Sequence, residues 1–244
     1  MFGTIVNCAA VIIGSALGIL FAKRVSSEIS TVITAGAGVF TLIIGFTLAF
    51  QAENIIYLAL ALIIGGIIGT VLDIDGKILA IGRFLEHRFG RKQGNPSDVQ
   101  RESRFAYAFL NASVLFSVGA MAIVGSFKAG TEGDYTLLYT KSVLDGFMSI
   151  VFAASMGIGT TFAALTLLVY QGFLTLSSGF VKPFVSTYLI NEVTGIGGAL
   201  IIMIGINLLD LKRLKTANYL PAIAVSICFV LLDPVFKHVL SLFI

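Results

Sequence analysis

Apolar residues run through this chain in long blocks separated by brief polar punctuation. A block of about 17–25 mostly apolar residues is long enough to cross roughly 30 Å of hydrocarbon as a helix. By that measure the first crossing covers residues 2–22, the second 29–50 and the third 55–72. A polar stretch, 73–104, follows; a fourth crossing takes 105–127, and a second polar loop covers 128–141. The apolar block 142–180 is too long for one passage, and Gly157-Ile158-Gly159-Thr160-Thr161 divides it into 142–158 and 160–180. Crossings seven and eight occupy 189–209 and 219–239. The pattern predicts an all-α polytopic membrane bundle of about eight helices. Residues 1–244 then form one integral membrane domain, with 73–104 as its sizeable polar loop.

Composition strengthens this reading. Hydrophobic residues make up 57% of the 244 positions and charged residues only 12%, against about a quarter charged in soluble domains. A soluble enzyme, a nucleic-acid binder and a disordered chain are all disfavoured. Lys23-Arg24 follow the first apolar block where a signal-peptide cleavage site would lie, and no basic segment precedes it; a crossing is expected there, not a leader. Cys8 and Cys228 lie in apolar runs without metal-ligand spacing, so small buried side chains are the expectation.

Charge sets the orientation. Twelve Lys and Arg fall after crossings one, three and seven, and four (Lys128, Lys141, Lys182 and Lys237) fall on the other side. Basic loops stay in the cytoplasm, which puts both termini outside. Within 73–104, Ile78, Ile81, Leu85 and Phe89 recur at helical spacing, with Lys77, Arg83, Arg88, Arg91 and Lys92 around them. Over 77–92 this is the pattern of an amphipathic helix on anionic lipid headgroups. A helix packed beneath the bundle would read the same way. Gly94-Asn95-Pro96-Ser97-Asp98 should end it.

A shift of 160 residues places crossing two over crossing seven, aligning Val25-Ser26 with Val185-Ser186, Thr34 with Thr194, Gly38 with Gly198, Ile44-Gly45 with Ile204-Gly205 and Leu48 with Leu208. The two crossings run in opposite directions, so the expected repeat is inverted and pairs crossings 1–3 with 6–8. Inverted repeats are a recurrent plan of secondary transporters. Gly-rich membrane helices also resemble one another through composition alone.

Charge inside a membrane costs at least about 2.5–3.5 kcal/mol on insertion scales. Asp145 lies inside crossing five, four residues after Lys141; Glu192 opens crossing seven beside Asn191; Asp233 lies deep in crossing eight. Neutral polar groups include Asn7, Asn111, Gln171 and Asn207. The substrate- or ion-binding candidates are Asp145, Asn191, Glu192, Asn111, Gln171 and Asn207, expected around one outer polar cavity that attracts a cation or shares a proton. The alternative is structural: a Lys141–Asp145 pair and Glu192 as a helix cap. Gly119 and Gly125 interrupt crossing four, and Gly195, Gly197 and Gly198 interrupt crossing seven, where a loosened helix could free backbone groups to line a cavity. Gly14-x-x-x-Gly18 and Gly65-x-x-x-Gly69 permit close helix contact. Glycine-rich crossings one to three also offer faces for a homo-oligomer. No motif for metal, nucleotide or nucleophilic catalysis occurs, so neither an enzyme nor a cofactor is expected.

The segments Gly119-Ala-Met-Ala-Ile-Val-Gly-Ser126, Leu138-Tyr-Thr-Lys-Ser142 with Asp145-Gly146, Tyr170-Gln-Gly172, and Asn191-Glu192 leading to Gly205-x-Asn207-Leu-Leu resemble a known family. It is that of the uncharacterised bacterial inner-membrane proteins of the YdfK/YqgA type. The likeness runs from Gly3-Thr-Ile-Val-Asn7 to Ala217-Asn218-Tyr-Leu-Pro221. It implies a multi-pass protein of the bacterial plasma membrane and carries no site residues. The functional expectation is a secondary transporter or channel for an ion or small polar solute, cation- or proton-coupled, with a non-transporting sensor or scaffold as the alternative.

Overall fold

A computed structural model describes residues 1–22, 26–89, 98–181 and 185–240, and every regular element among them is helical. The helices are α1 Phe2–Ala22, α2 Ser27–Ala49, α3 Ile55–Val71, α4 Ile74–Phe89 and α5 Asp98–Ser117. They continue with α6 Ala120–Thr131, α7 Thr136–Met156, α8 Gly159–Val181, α9 Thr187–Leu208 and α10 Pro221–Leu240, a short 3-10 turn at Thr216–Tyr219 preceding the last. Six helical segments are long and apolar enough to cross a bilayer unaided, and counting two bent pairs as one span each makes eight. The bundle is that of a membrane protein: Ile63, Ile67, Val143, Phe147, Val169, Phe173 and Leu176 point outward, while Val11, Phe116, Phe152, Leu167, Leu200, Ile201 and Ile204 form its dry interior.

The bends have definable causes. Between α3 and α4 the chain turns by 57°, through Leu72 and Asp73; Asp73 holds φ +46°. α4 covers most of the expected amphipathic segment, whereas residues 90–97, with the expected helix stop, lie outside the described residues. Crossing four is broken by 62° between α5 and α6, where Gly119 adopts φ +115°, a conformation that a side chain disfavours. The break between α7 and α8 falls at Gly157, φ +92°, where the glycine pattern places it. Crossing five begins earlier than its hydropathy, at Thr136, because Thr140 and Ser142 return their hydroxyls to carbonyls one turn back, at Thr136 and Leu138. Lys141, expected in the outer loop, is consequently buried inside α7.

Glycine sets the helix contacts. A Cβ at Gly14 or Gly18 would strike the carbonyls of Gly146 or Ile150, so α1 lies backbone to backbone on α7. Gly65 and Gly69 do the same for α3 against Ala222 and Asn218. These four glycines close contacts inside one chain, whereas Gly36 on α2 meets nothing within 4 Å. On α9, Gly195, Gly197 and Gly198 do not loosen the helix. α9 is continuous from Thr187 to Leu208, and Cβ atoms there would meet Ala52, Val118 and Ala49.

α2 and α9 pack antiparallel with a reciprocal set of contacts. A Cβ on Gly38 would meet Leu209, and one on Gly198 would meet Ala49. A Cβ on Gly45 would lie 2.7 Å from Ile202, and one on Gly205 2.8 Å from Leu42. Adding 160 to one partner and subtracting it from the other converts each contact into its mate. Their starts match too, since Ser26 and Ser186 each cap a helix by accepting from the N–H three residues on.

Candidate functional site

The six residues expected to share a cavity are distributed over three places. The first lies in the interior, where α1, α7 and α8 meet. Helical spacing sets Lys141 and Asp145 on one face of α7, and Lys141 Nζ reaches Asp145 Oδ2 at 2.6 Å. Asn7 Nδ2, from α1, donates to the same oxygen at 2.9 Å and lies 3.4 Å from Gln171 Oε1 on α8. Lys141 and Asp145 are each 6% exposed, Asn7 and Gln171 not at all. The cation offsets part of the penalty of burying the carboxylate, and both charges depend on that proximity. Asn7 Oδ1 and Gln171 Nε2 are buried with no hydrogen-bond partner. The cluster therefore has unused donor and acceptor capacity in a region without bulk water.

The second place is the start of α9. Glu192 Oε1 accepts from the backbone N–H groups of Glu53 at 2.8 Å and Asn54 at 2.7 Å. Asn191 Nδ2 donates to Glu53 Oε1 at 2.8 Å. Glu192 thus holds the turn entering α3, and does not cap its own helix. Asn54 completes the turn by accepting from Ile56 and Tyr57. One turn into α3, the Tyr57 hydroxyl donates to Asp233 Oδ1 at 2.7 Å, giving that buried acid a hydrogen bond.

The third place is a cavity of about 460 Å³ at the opposite end of the bundle, among α2, α5, the ends of α7 and α9, and the loop after α9. Asn111 and Asn207 line it, with Tyr107, Asp210, Arg213 and Lys215. Asn207 is a clamp: its Nδ2 donates to Leu214 O at 3.0 Å and its Oδ1 accepts from Leu214 N at 2.7 Å. Asp145, Gln171, Asn191 and Glu192 do not line this cavity. A second cavity, about 390 Å³ and mostly apolar, lies beside the α5–α6 break.

Sequence reasoning counted Lys141 among the outer charges as well as pairing it with Asp145, and it did not single out Tyr57, Arg213 or Lys215 as site residues. Their roles depend on contacts between distant segments, for which an amphipathic pattern carries no signal. Asn7 did carry one, as an amide in an apolar run.

The protein family of unknown function DUF554 matches residues 2–231. The chain belongs to the DUF554 family. It is 33% identical over 229 residues to the uncharacterized membrane protein YdfK of Bacillus subtilis, with 92% of this chain and 93% of that protein covered. Identity to the uncharacterized protein YqgA of Escherichia coli is 26% over 226 residues, covering 93% and 94%. No solved structure matches this DUF554 chain. The resemblance read from its motifs is thus a family membership.

Proposed function

We propose that this DUF554 protein is a secondary transporter or channel for an ion or small polar solute, coupled to a proton or another cation, in the bacterial plasma membrane. The observation that carries the reading is the interior cluster of Lys141, Asp145, Asn7 and Gln171. Ionisable groups inside membrane bundles mark pathways and relays by default. Here Asp145 has one cationic partner that an entering cation or proton could replace, and unpaired amide atoms flank it. The reciprocal glycine contacts of α2 and α9 support the reading independently, because they are the contacts an inverted repeat requires.

A non-transporting sensor or scaffold is favoured by one observation. Asp145 is paired and Glu192 is used by backbone donors, so both acids have structural work. An unbiased solute-flux screen in proteoliposomes, with and without a proton gradient, separates the two. Gradient-dependent uptake abolished by Asp145→Asn, in protein that remains folded, supports transport. Absence of flux across the screen favours the sensor or scaffold.

A further inference from the structure

We propose that the 460 Å³ cavity at the basic end of the bundle binds a small organic anion bearing a hydrogen-bond donor, a hydroxy- or amino-carboxylate. The inference deepens the transport reading by naming a solute class, but it concerns binding and is testable without flux.

The cavity lies within the 300–1,000 Å³ range, about right for small-molecule sites. Its mouth and its floor differ in chemistry. At the mouth, Arg213 and Lys215 are exposed and flank Leu214. Among the described residues neither forms an ion pair. Asp210 lines the same region and Asp75 interacts electrostatically with Lys215; with Lys212 the loop carries three exposed cations against these two acids, which favours an anion. Arg213 offers the planar donor fork that matches a carboxylate.

The loop carrying these cations is held in place. Both amide atoms of Asn207 bond to Leu214, the residue between them, and Asn207 Nδ2 also lies 3.3 Å from Thr216 Oγ1. Fixing Leu214 fixes where Arg213 and Lys215 start, which limits the ordering that ligand binding would otherwise require.

Deeper in, Asn111 is 4% exposed and lines the cavity. Its Nδ2 has only the Met156 thioether, at 3.7 Å, a weak acceptor. Its Oδ1 is buried without any protein partner. An acceptor in that state discriminates strongly for a ligand N–H or O–H, because a ligand without one leaves the oxygen unsatisfied. Tyr107, which interacts electrostatically with Arg213 at the mouth, and Asn111 on the floor are one helical turn apart, about 6 Å along α5, so the cavity suits a ligand only a few bonds long.

The test uses the full-length protein in nanodiscs of neutral lipid, with binding read by calorimetry and by thermal shift. The probes are lactate against propionate and malate against succinate, pairs differing by one hydroxyl. Lactate or malate should bind at least about tenfold more tightly than its partner. Asn111→Leu should erase that preference. The exposed-site variant Arg213→Gln/Lys215→Gln, which has no reason to misfold, should weaken every carboxylate. No binding of any probe at about 10 mM, equal affinity within both pairs, or unchanged affinity in the double variant would each overturn the inference. Inorganic phosphate binding as tightly as lactate would also overturn it, as would anionic lipid alone producing the thermal shift. Probe binding without flux leaves this inference standing and counts against transport. Flux of other solutes without probe binding does the reverse.

Discussion

Asn7 and Asp145, 138 positions apart in sequence, share a 2.9 Å hydrogen bond at a site where both are buried. The same Asp145 oxygen receives Lys141, so one carboxylate atom holds α1 to α7 and neutralises the ammonium group.

Removing either charge leaves the other buried and unpaired. Lys141→Met and Asp145→Leu should each destabilise the folded protein by about 3–5 kcal/mol, whereas the double variant should recover most of that loss. Thermal unfolding of all four proteins in mild detergent gives the coupling. Additive losses would show that the pair contributes little.

Glu192 supplies the acceptor for two N–H groups of another segment. Glu192→Ala leaves both without a protein acceptor and should cost about 2–4 kcal/mol, while Glu192→Gln, which retains a carbonyl, should cost less. Proteolysis at the turn between α2 and α3 should accelerate in the alanine variant. Equal behaviour of Ala and Gln would remove the acceptor role.

Gly45 and Gly205 occupy matching positions in the α2–α9 contact. Gly45→Val and Gly205→Val should each destabilise by about 1–3 kcal/mol or more, and to a similar degree, through overpacking. Gly36 has nothing within 4 Å of its Cβ direction, and Gly36→Ala should be neutral or stabilising by up to about 1 kcal/mol. A large difference between Gly45→Val and Gly205→Val would argue against the matching.

The Thr136 hydroxyl and then the Thr136 N–H donate to Asp134, and together with Lys128 they hold its carboxyl below the usual range. A lowered folded-state value stabilises above the unfolded value near 4, and that contribution is lost as pH falls through the folded one. Hydrogen exchange at the start of α7, corrected for intrinsic rates, should therefore lose protection on acidification, and Asp134→Asn should remove the pH dependence.

Orientation is tested with Cys8 and Cys228 first replaced by Ala. In intact cells, an impermeant thiol reagent should label Glu132→Cys and spare Lys212→Cys. The reverse result would invert the topology.

The crossings were legible because lipid imposes one strong rule, an apolar block long enough to span. The break at Gly157 and the close contacts at Gly14, Gly18, Gly65 and Gly69 were legible because a missing Cβ has few uses inside a bundle. Gly195, Gly197 and Gly198 were expected to loosen α9, and instead they admit neighbours as Gly14 and Gly65 do. A glycine that admits a neighbour and one that loosens a helix differ only in what stands opposite, here Val118, Ala52 and Ala49. The Lys141–Asp145 pair could be read from its spacing. The link from Glu192 to Glu53 and Asn54 could not, because hydropathy carries no information on which loop a carboxylate meets.

Asp145 and Met156 both belong to α7, which runs unbroken from Thr136 to Met156. Eleven residues of helix separate them by about 16 Å. One end bears the charge pair, and the other forms part of the cavity wall beside Asn111. Such a segment is stiff along its axis, in the manner of a push-rod. A slide that draws Asp145 away from Asn7 carries Met156 with it and alters the space in front of Asn111. An axial displacement at one end is thereby passed to the other mechanically, with no residue needed to relay between them.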